Sequence, residues 1–312
     1  MNARVDFAVM QPVECVRARP LLGTLVEIAA SGKDADCVQL AISDAFEVVE
    51  RIHNLMSYQA DDSDIALINR TGFTHDVTVD EQTWQVLAMS EKLAAASNGL
   101  FDITIAPTLT KLGFLPKQVG MPRISGQGNW RHISLRVDNK VRLTRQLRID
   151  VSGIAKGYAV DRALAALQSA GMLTGRVSAG GDLRVFGDIE QTIHVRHPIV
   201  ATQLMPVVAL TNGAAATSAG YFTHRRYQGR WVTPLINPHT RIAAGMNRSV
   251  TVLAEDCMTA DALTKVVHAD PALAMPILEQ FNARAIMLEA DMATGTCKFF
   301  DTAGVNAAGM QG

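Results

Sequence analysis

Apolar residues at helical spacing mark the first predicted helix of the chain. In residues 35–53, apolar side chains recur every three or four positions on one face, at Val38, Ile42, Phe46, Val49 and Ile52. Residues 81–97 are predicted as a further helix, because Asp80 is a favourable N-cap and Asn98-Gly99 is a typical helix end. The first of these helices is expected to face the core and to carry no chemistry of its own.

The most informative pattern covers residues 147–187. Leu147, Ile149 and Val151 alternate with polar neighbours, which predicts a half-buried strand, and Ser152-Gly153 breaks the alternation. Helical spacing then predicts a helix that begins just after Gly153 and ends at the C-cap position Gly171, with apolar residues at Ile154, Tyr158, Leu164 and Leu167. A second strand is predicted to leave the pair Gly180-Gly181.

The other predicted elements are shorter. They are a strand over residues 17–28, a loop over 56–69, a strand after an Asp102 cap within 99–114, a long loop over 115–129, and two short strands around Asp138-Asn139 within 130–147. Residues 1–16 are expected to be a loose lead and residues 302–312 a flexible tail.

Composition limits the classes of function. The chain has 312 residues, of which 48% are hydrophobic, enough for one large or two modest domains with a well-developed core. Its 29 Lys and Arg balance 30 Asp and Glu, so no basic surplus indicates a nucleic-acid partner. Ligands are therefore expected to be recognised locally.

Cysteine spacing and the N-terminal sequence bear on the compartment. The four cysteines form no C-x-x-C pair, which argues against a zinc site or a disulfide scaffold. The first residues contain no apolar core of signal-peptide length, and no stretch reaches membrane-spanning length. Cys15 is flanked by Glu14 and Arg17 and does not resemble a lipid anchor. We expect a cytoplasmic protein with no membrane insertion.

Two apparent metal motifs do not meet the requirements of a metal site. Asp61, Asp62 and Asp64 lack the glycine and the terminal glutamate that an EF-hand loop needs. His194 and His197 lie at the end of a predicted strand with no carboxylate nearby in sequence, so a solvent-facing strand end is the preferred interpretation.

Chemistry-bearing residues gather at the two glycine turns of the central segment. Asp150 and Lys156 flank the first turn, and Gly180-Gly181-Asp182 forms the second. Glycine lets the backbone approach a bulky ligand closely, and free N–H groups at a helix start favour phosphate. This pattern is typical of a nucleotide site. The alternative is that the glycines only turn the chain and that Lys156 is a solvated surface charge.

The sequence IDVSGIAKGYAVD followed by SAGGDLRVFG resembles the central signature of the FAD:protein FMN transferase (ApbE) family. Further segments are similar to family motifs: RPLLGTLVEI to the opening R-x-x-x-G-T strand, MSYQADDSDIALIN to a motif with an aromatic third residue, GLFDITIAP to G-x-F-D-x-T-x-x-P, and ADALTK to the last signature. The resemblance extends from Arg17 to about Lys265.

The resemblance implies an α+β fold with mixed or antiparallel sheets and with helices in two lobes around a flavin-nucleotide cleft. It implies that residues 17–301 form one domain of two lobes. It implies flavin-nucleotide contacts at Leu22, Tyr58, Leu100, Phe101, Asp102, Asp150, Lys156, Gly180, Gly181, Asp182 and Leu235. Asp261 and Lys156 are the implied catalytic residues. A magnesium ion is expected at the Gly153 carbonyl, Asp261 and the residue four positions on, Lys265.

The implied reaction transfers FMN from FAD to a threonine or serine of an acceptor protein, with release of AMP and with a divalent metal. The cofactors are then FAD, as substrate, and Mg²⁺, and the partners are FAD and the acceptor, without nucleic acid. The alternatives are a paralogue that binds FAD but no longer transfers FMN, and a metal-dependent hydrolase that releases FMN and AMP from FAD.

The chain departs from the family at two places. The motif H-[IL]-[IL]-D-P-x-T-G has Pro234, Asn237 and Arg241 at its histidine, aspartate and glycine positions. A proline cannot act as a base, and His224 and His239 are the candidates to replace the histidine.

In the last signature, Thr259 is the expected helix cap, and the second metal ligand is replaced by Lys265. Asp261 and Lys265 are predicted either to form a surface ion pair or to place an ammonium group where the metal would bind.

Overall fold

The structure, a computed structural model, describes residues 12–118, 124, 128–188, 190–196, 204–291, 294 and 296–303. The helices are α1 (Ala35–Met56), α2 (Asp64–Thr71), α3 (Glu81–Ala96), α4 (Ala106–Leu112), α5 (Ala155–Ser169), α6 (Cys257–Ala269) and α7 (Pro271–Gln280). Short 3-10 turns cover Ile103–Ile105 and Trp130–His132. Within these ranges, no helix is both long and apolar enough to span a membrane.

The first seven strands are β1 (Val13–Leu21), β2 (Thr24–Gly32), β3 (Val77–Thr78), β4 (Ile133–Arg136), β5 (Lys140–Leu143), β6 (Thr174–Ala179) and β7 (Asp182–Phe186). The others are β8 (Gln191–Arg196), β9 (Leu204–Leu210), β10 (Gly213–Ala219), β11 (Arg225–Tyr227), β12 (Arg230–Val232), β13 (Arg248–Ala254), β14 (Arg284–Asp291) and β15 (Thr296–Asp301).

A large antiparallel sheet in the order β1-β2-β6-β7-β10-β13-β14-β15 organises the fold. The small sheets β3-β5-β4, β8-β9 and β11-β12 are also antiparallel. The predicted α+β class with antiparallel sheets and several helices is confirmed.

The core lies between the large sheet and helices α1, α5 and α6. Helix α1 packs on β1, β2 and α5, while α5 contacts β6 and β7 and α6 contacts β10 and β13. The predicted face of α1 is fully buried, from Val38 through Phe46 to Ile52. This arrangement brings the start of α5 close to both α6 and the β6-β7 turn, which positions the site described below.

Several predicted elements are confirmed. Helix α1 runs three residues past the predicted end, and α3 begins after the Asp80 cap, whose carboxylate accepts a hydrogen bond from the N–H of Gln82 at 2.9 Å. Helix α5 begins one residue after Ile154, and Gly171 follows its end with φ +74°. The two short strands around Asp138-Asn139 are β4 and β5.

Three local predictions are wrong. Residues 17–28 are not one strand, because Leu22-Gly23 turns the chain with positive φ at both residues and separates β1 from β2. Residues 56–69 are not all loop: Ser63 accepts a hydrogen bond from the N–H of Ala66 and starts α2. The strand expected after Asp102 is a 3-10 turn followed by α4, although the Asp102 cap itself is confirmed by its bond from the Thr104 N–H.

The strand predicted over residues 147–151 is not formed, because the segment belongs to none of the strands in the described part of the chain. The side-chain amide of Asn69 donates to the carbonyl of Ile149 at 2.9 Å and accepts from its N–H at 2.7 Å. The N–H of Asp150 donates to the carbonyl of Ile103 at 2.8 Å. One side chain thus takes the place of a neighbouring strand, a long-range contact that alternation alone does not predict.

The start of α6 also differs from the prediction. Asp256, rather than Thr259, is the N-cap, and its carboxylate accepts from both the N–H and the hydroxyl of Thr259, at 2.7 and 2.9 Å. Asp261 is therefore the fifth residue of the helix, beyond its first turn.

Some predictions concern residues outside the described ranges: the first eleven residues of the lead, His197, residues 304–312 of the tail, and most of 119–127 in the long loop. Residues 13–16 of the expected lead belong to β1. His194 is exposed on β8, in agreement with a solvent-facing strand. Asp64 accepts hydrogen bonds from the N–H of Asp80 and the hydroxyl of Thr83, a structural role.

Candidate functional site

The first glycine turn is held by a buried aspartate. The carboxylate of Asp150 accepts from the N–H of Ser152 at 3.3 Å and from its hydroxyl at 2.6 Å. Burial raises the pKa of Asp150 above its usual value, although both hydrogen bonds oppose the rise. Asp150 therefore shapes the turn that precedes α5.

Helices α5 and α6 are in backbone contact at Gly157. A Cβ atom on this residue would lie 2.2 Å from the carbonyl oxygen of Cys257 and 2.8 Å from the nitrogen of Met258, so only glycine fits. One turn later, Asp161 accepts hydrogen bonds from the N–H groups of Cys257 and Met258, each at 2.8 Å, and pairs with Arg184. These contacts fix the first turn of α6 against α5.

Four charged side chains meet beyond this contact and form what we call the charge cluster: Lys156, Asp182, Asp261 and Lys265. The ammonium of Lys156 contacts the carboxylate of Asp182 and lies 3.3 Å from Oδ2 of Asp261. The ammonium of Lys265 contacts Oδ1 of Asp261 and donates to its backbone carbonyl at 2.9 Å. The N–H of Gly157 also donates to Oδ2 of Asp261, at 3.3 Å.

The lysine side chains of the cluster are partly exposed, and its two carboxylates are buried. The side chains of Asp182 and Asp261 are 2% and 0% exposed, whereas those of Lys156 and Lys265 are 31% and 21% exposed. An incoming ligand therefore meets the lysines first. Anionic groups such as phosphates are the ligands that this surface attracts.

The two carboxylates of the cluster have different pKa values. Burial raises the pKa of Asp182 to about 6, and the charge of Asp261 adds to this rise while Lys156 opposes it. Burial also acts on Asp261, but the ammonium groups of Lys156 and Lys265 outweigh it and lower the pKa of Asp261. The pKa of Lys156 is raised, because its two carboxylate partners outweigh its own burial. Of the two carboxyl groups, Asp261 is accordingly the one whose ionised form the lysines favour more.

The family model described as "ApbE family" matches residues 22–287, which include the whole charge cluster. The chain belongs to the ApbE family. Two curated relatives, both named FAD:protein FMN transferase, are 27% identical: that of Vibrio cholerae over 69% of each chain and that of Haemophilus influenzae over 72% of each chain.

Solved structures agree with this assignment. The ApbE protein of Thermotoga maritima, 27% identical, superimposes with a TM-score of 0.80 over 92% of this chain and 96% of its own. The flavin transferase ApbE of Vibrio cholerae, 22% identical, has the same fold, with a TM-score of 0.77 over 93% of this chain and 97% of its own.

The residues expected to ligate magnesium lie together in this ApbE family protein, but they do not form a metal site. The Cε of Lys265 lies 3.4 Å from the point where a Cβ on Gly153 would be. All three oxygens of Asp261 accept hydrogen bonds, from the two lysines and from Gly157. The described part of the chain holds no group of three or more His, Cys, Asp or Glu that could bind a metal. The residues present therefore do not fit a divalent cation. The prediction that Asp261 and Lys265 form a surface ion pair is wrong, because Asp261 is fully buried.

The second glycine turn lies beside the first strands. Gly180 has φ +65°, and a Cβ there would lie 3.0 Å from the hydroxyl of Thr24, close to the Leu22-Gly23 turn. The carbonyl of Gly181 accepts a hydrogen bond from the N–H of Thr217 at 2.8 Å. The structure thus brings the opening strand of the family motif next to the Gly180-Gly181-Asp182 turn.

The other residues expected to contact flavin are mostly buried. Leu100 and Phe101 belong to the core cluster, and the carboxylate of Asp102 accepts from the N–H groups of Thr104 and Trp130 at 2.8 and 3.2 Å. Tyr58 is buried, and its hydroxyl has no hydrogen-bond partner among the described residues. Leu235 is half-buried, and its carbonyl accepts from Ala244 at 2.7 Å. The predicted flavin contacts remain predictions.

Two of the three substituted residues in the motif at residues 234–241 hydrogen-bond to neighbouring segments of the chain. The side-chain N–H of Asn237 donates to the carbonyl of Ala269, the last residue of α6, at 3.0 Å, a bond that an ionised aspartate cannot make. Arg241 keeps the left-handed conformation of a glycine, with φ +57°, and donates to the carbonyls of Thr104 and Gly128 at 3.3 and 2.9 Å. Nothing in the described structure explains the proline at position 234.

The two histidines proposed to replace the missing base are held by other contacts. A ring nitrogen of His239 lies 2.9 Å from the carbonyl oxygen of Asn98, and the ring of His224 packs edge-on to Trp231 with centroids 5.0 Å apart. Neither contact includes a member of the charge cluster.

Sequence reasoning missed two residues that position the site. Gly157 is a glycine inside a predicted helix, which signals close packing. Asp161 follows Ile154 and Tyr158 on the apolar stripe of the same helix, and a carboxylate on a core-facing stripe signals a buried partner. Both signals were available in the sequence. The residues that Gly157 and Asp161 contact, Cys257 and Met258, could not be identified from the sequence.

Proposed function

We propose that this protein transfers FMN from FAD to a serine or threonine hydroxyl of an acceptor protein and releases AMP. The proposal rests on membership in a family that uses FAD as a substrate, and on one observation about this chain: the partly exposed side chains of the charge cluster are its two lysines. A pyrophosphate needs such a surface while its bridging bond breaks.

The reaction makes one bond and breaks one. The acceptor oxygen attacks the phosphorus of the FMN half, the bond from this phosphorus to the bridging oxygen breaks, and AMP leaves with that electron pair. The hydroxyl proton passes to a base or to water. The protein has to align the attacking and leaving oxygens and to balance the negative charge on the phosphate oxygens.

Several residues of this chain suit these tasks. Lys156 projects from the first turn of α5 and is anchored by two carboxylates, so its ammonium is pre-oriented for a phosphate. Asp150 orients the first glycine turn, and Asp182 anchors Lys156 from the second. Leu22 and Tyr58 are the proposed apolar contacts of the flavin nucleotide. The divalent metal expected from the family resemblance is left out of this mechanism, because the donor set of the cluster does not fit one.

The decisive experiment incubates the protein with FAD and an acceptor that carries the target motif of the family, and measures flavin fluorescence on the acceptor band of a denaturing gel. We expect a fluorescent band, with its rate of appearance lowered about 100-fold or more by Lys156→Met. Lys33→Met serves as the control and should label at the rate of the original protein, because Lys33 is exposed at the far end of β2.

Two alternatives predict different products. Pro234 removes the histidine of the family motif, which favours a member that binds FAD without transferring FMN. That alternative predicts a dark acceptor band together with tight FAD binding. An FAD hydrolase would release FMN and AMP when no acceptor is present. Either result would contradict the transferase proposal.

A further inference from the structure

The position expected for a divalent cation is filled by a side chain of the protein. Lys265 lies one helical turn after Asp261 on α6, and its ammonium contacts both Oδ1 and the carbonyl oxygen of that residue. Its aliphatic part passes over Gly153, within van der Waals contact of the point where a Cβ on that residue would be. The side chain of Lys265 therefore contacts the two other residues that the family resemblance assigns to the metal, Asp261 through its ammonium group and Gly153 through its aliphatic part.

A divalent cation and this ammonium group compete for the same oxygens. Mg²⁺ requires several oxygen ligands at short distance, and a protonated lysine has no lone pair to offer. A metal at Oδ1 of Asp261 would have to displace Lys265 and would then lie next to two ammonium groups, those of Lys156 and Lys265. Repulsion between the metal and these two ammonium groups, which both contact Asp261, disfavours metal binding further.

The same ammonium group can serve an anionic ligand. Lys265 is 21% exposed and stands beside Lys156 on the accessible side of the cluster, with its charge held in place by Asp261. Two anchored ammonium groups donate hydrogen bonds to phosphate oxygens and offset their charge. A metal supplies the same electrostatic effect in other phosphoryl-transfer sites.

We propose that Lys265 is the built-in cation of this site, so that the protein binds the pyrophosphate of a flavin nucleotide through Lys156 and Lys265 without a divalent metal. The proposal deepens the proposed function and rests on FAD as the ligand. The absence of divalent-metal binding that it requires can be measured without any catalytic turnover.

The first arm of the test measures FAD affinity of the full chain by flavin fluorescence, once with EDTA and once with excess Mg²⁺. We expect the two dissociation constants to agree within about twofold, whereas a metal-dependent site would lose affinity about tenfold or more in EDTA. A loss of that size in the unmodified protein would overturn the proposal.

The second arm titrates the protein with Mn²⁺ and follows free Mn²⁺ by electron paramagnetic resonance. We expect no stoichiometric binding to the unmodified protein or to the exposed control Lys33→Ser, and a gain of one Mn²⁺ per chain in Lys265→Ser, which frees Asp261 and adds an oxygen. Circular dichroism checks that the variants are folded. Stoichiometric Mn²⁺ binding to the unmodified protein would contradict the proposal, as would no gain in a folded Lys265→Ser.

The two proposals fail in different ways. If FAD binds equally in EDTA and Mg²⁺ but the acceptor stays dark, the transferase function fails and the built-in cation stands. If the acceptor is labelled only with Mg²⁺ and the unmodified protein binds Mn²⁺, the cation proposal fails and the transferase function stands. The Mn²⁺ arm gives a result even if FAD does not bind.

Discussion

At the scale of single residues, the site is an electrostatic balance within the charge cluster. Two carboxylates that are almost completely buried would be strongly destabilising without partners, and two lysines supply them. Asp261 is the central member, because it contacts both ammonium groups and accepts a hydrogen bond from the backbone of α5. Its removal would leave two neighbouring positive charges with only Asp182 as a counter-ion.

Asp261→Asn should therefore destabilise the fold by about 3–5 kcal/mol, the usual cost of breaking a buried ion pair on one side. Asp76→Asn is the matched control, since Asp76 pairs with Arg136 at the surface and its loss should cost at most about 1 kcal/mol. Urea unfolding monitored by circular dichroism compares the two. Equal losses of stability would show that the cluster is not a buried network.

His268 should make stability depend on pH. Burial, with additional repulsion from Arg248 and Lys265, lowers the pKa of His268 to about 4. The unfolded chain then binds more protons than the folded chain between pH 6.5 and 4, so stability is present above pH 6.5 and is lost as the pH falls. From pH 7.5 to 5, this single group removes about 2 kcal/mol.

His268→Gln is the variant that isolates this effect. It keeps a side-chain N–H for the carbonyl of Ser218, which the ring nitrogen of His268 approaches at 2.9 Å, and it removes the titrating group. Asp161 and Asp182, whose pKa values are raised to about 6, act in the opposite direction but are common to both proteins. The unfolding free energy of the variant should fall less on acidification, while exposed His75→Gln should follow the original protein. Parallel pH profiles for His268→Gln and the original would contradict this assignment.

At the scale of elements, the sequence predicts what is decided locally. Helices α1 and α3 are predictable because an apolar stripe and a capping aspartate lie within the segment itself. The errors arise where a single residue determines the local structure. Ser63 caps and starts α2 inside a predicted loop, and Leu22 has a left-handed conformation that ends β1. The segment 147–151 is held by Asn69, about eighty positions earlier, so no local pattern predicts its conformation.

The contact between α5 and α6 gives a prediction at this scale. Gly157→Ala would place a Cβ against the backbone of Cys257 and Met258, which cannot move aside as a flexible side chain can. We expect a loss of roughly 1–3 kcal/mol, although alanine is favoured over glycine in a helix. FAD affinity should fall too, because α6 carries Asp261 and Lys265.

Gly171→Ala is the control for this change. It lies just after the end of α5 in open space, so its cost is only that of the left-handed conformation, about 1 kcal/mol, and FAD affinity should not change. Calorimetric unfolding and FAD titration on both variants provide the comparison. An alanine at position 157 that leaves both quantities unchanged would show that the helices can separate without consequence.

At the scale of the whole molecule, the site is an outcome of the topology of the large sheet. Asp182 begins β7, Lys156 lies in α5, and Asp261 and Lys265 lie in α6, which packs on β10 and β13. Family motifs in the sequence identify each of these residues singly. Their pairing, across 26 and 105 positions of chain, could not be derived from spacing. The sequence alone allowed two interpretations of Asp261 and Lys265, a surface ion pair or an ammonium group at the metal position. The burial of Asp261 in the structure excludes the surface ion pair.

Because the site joins distant segments of the chain, a bound flavin nucleotide should stabilise the molecule as a whole. At about one hundred times its dissociation constant, FAD should add about 2.7 kcal/mol, which for a chain of this size raises Tm by roughly 4 °C. FMN, which lacks the pyrophosphate bridge, should raise Tm less at the same concentration. Lys156→Met should reduce the shift given by FAD more than the shift given by FMN, whereas Lys33→Met should change neither. Scanning calorimetry with EDTA present measures all three proteins. Equal shifts with FAD and FMN, unaffected by Lys156→Met, would mean that the pyrophosphate does not reach the charge cluster.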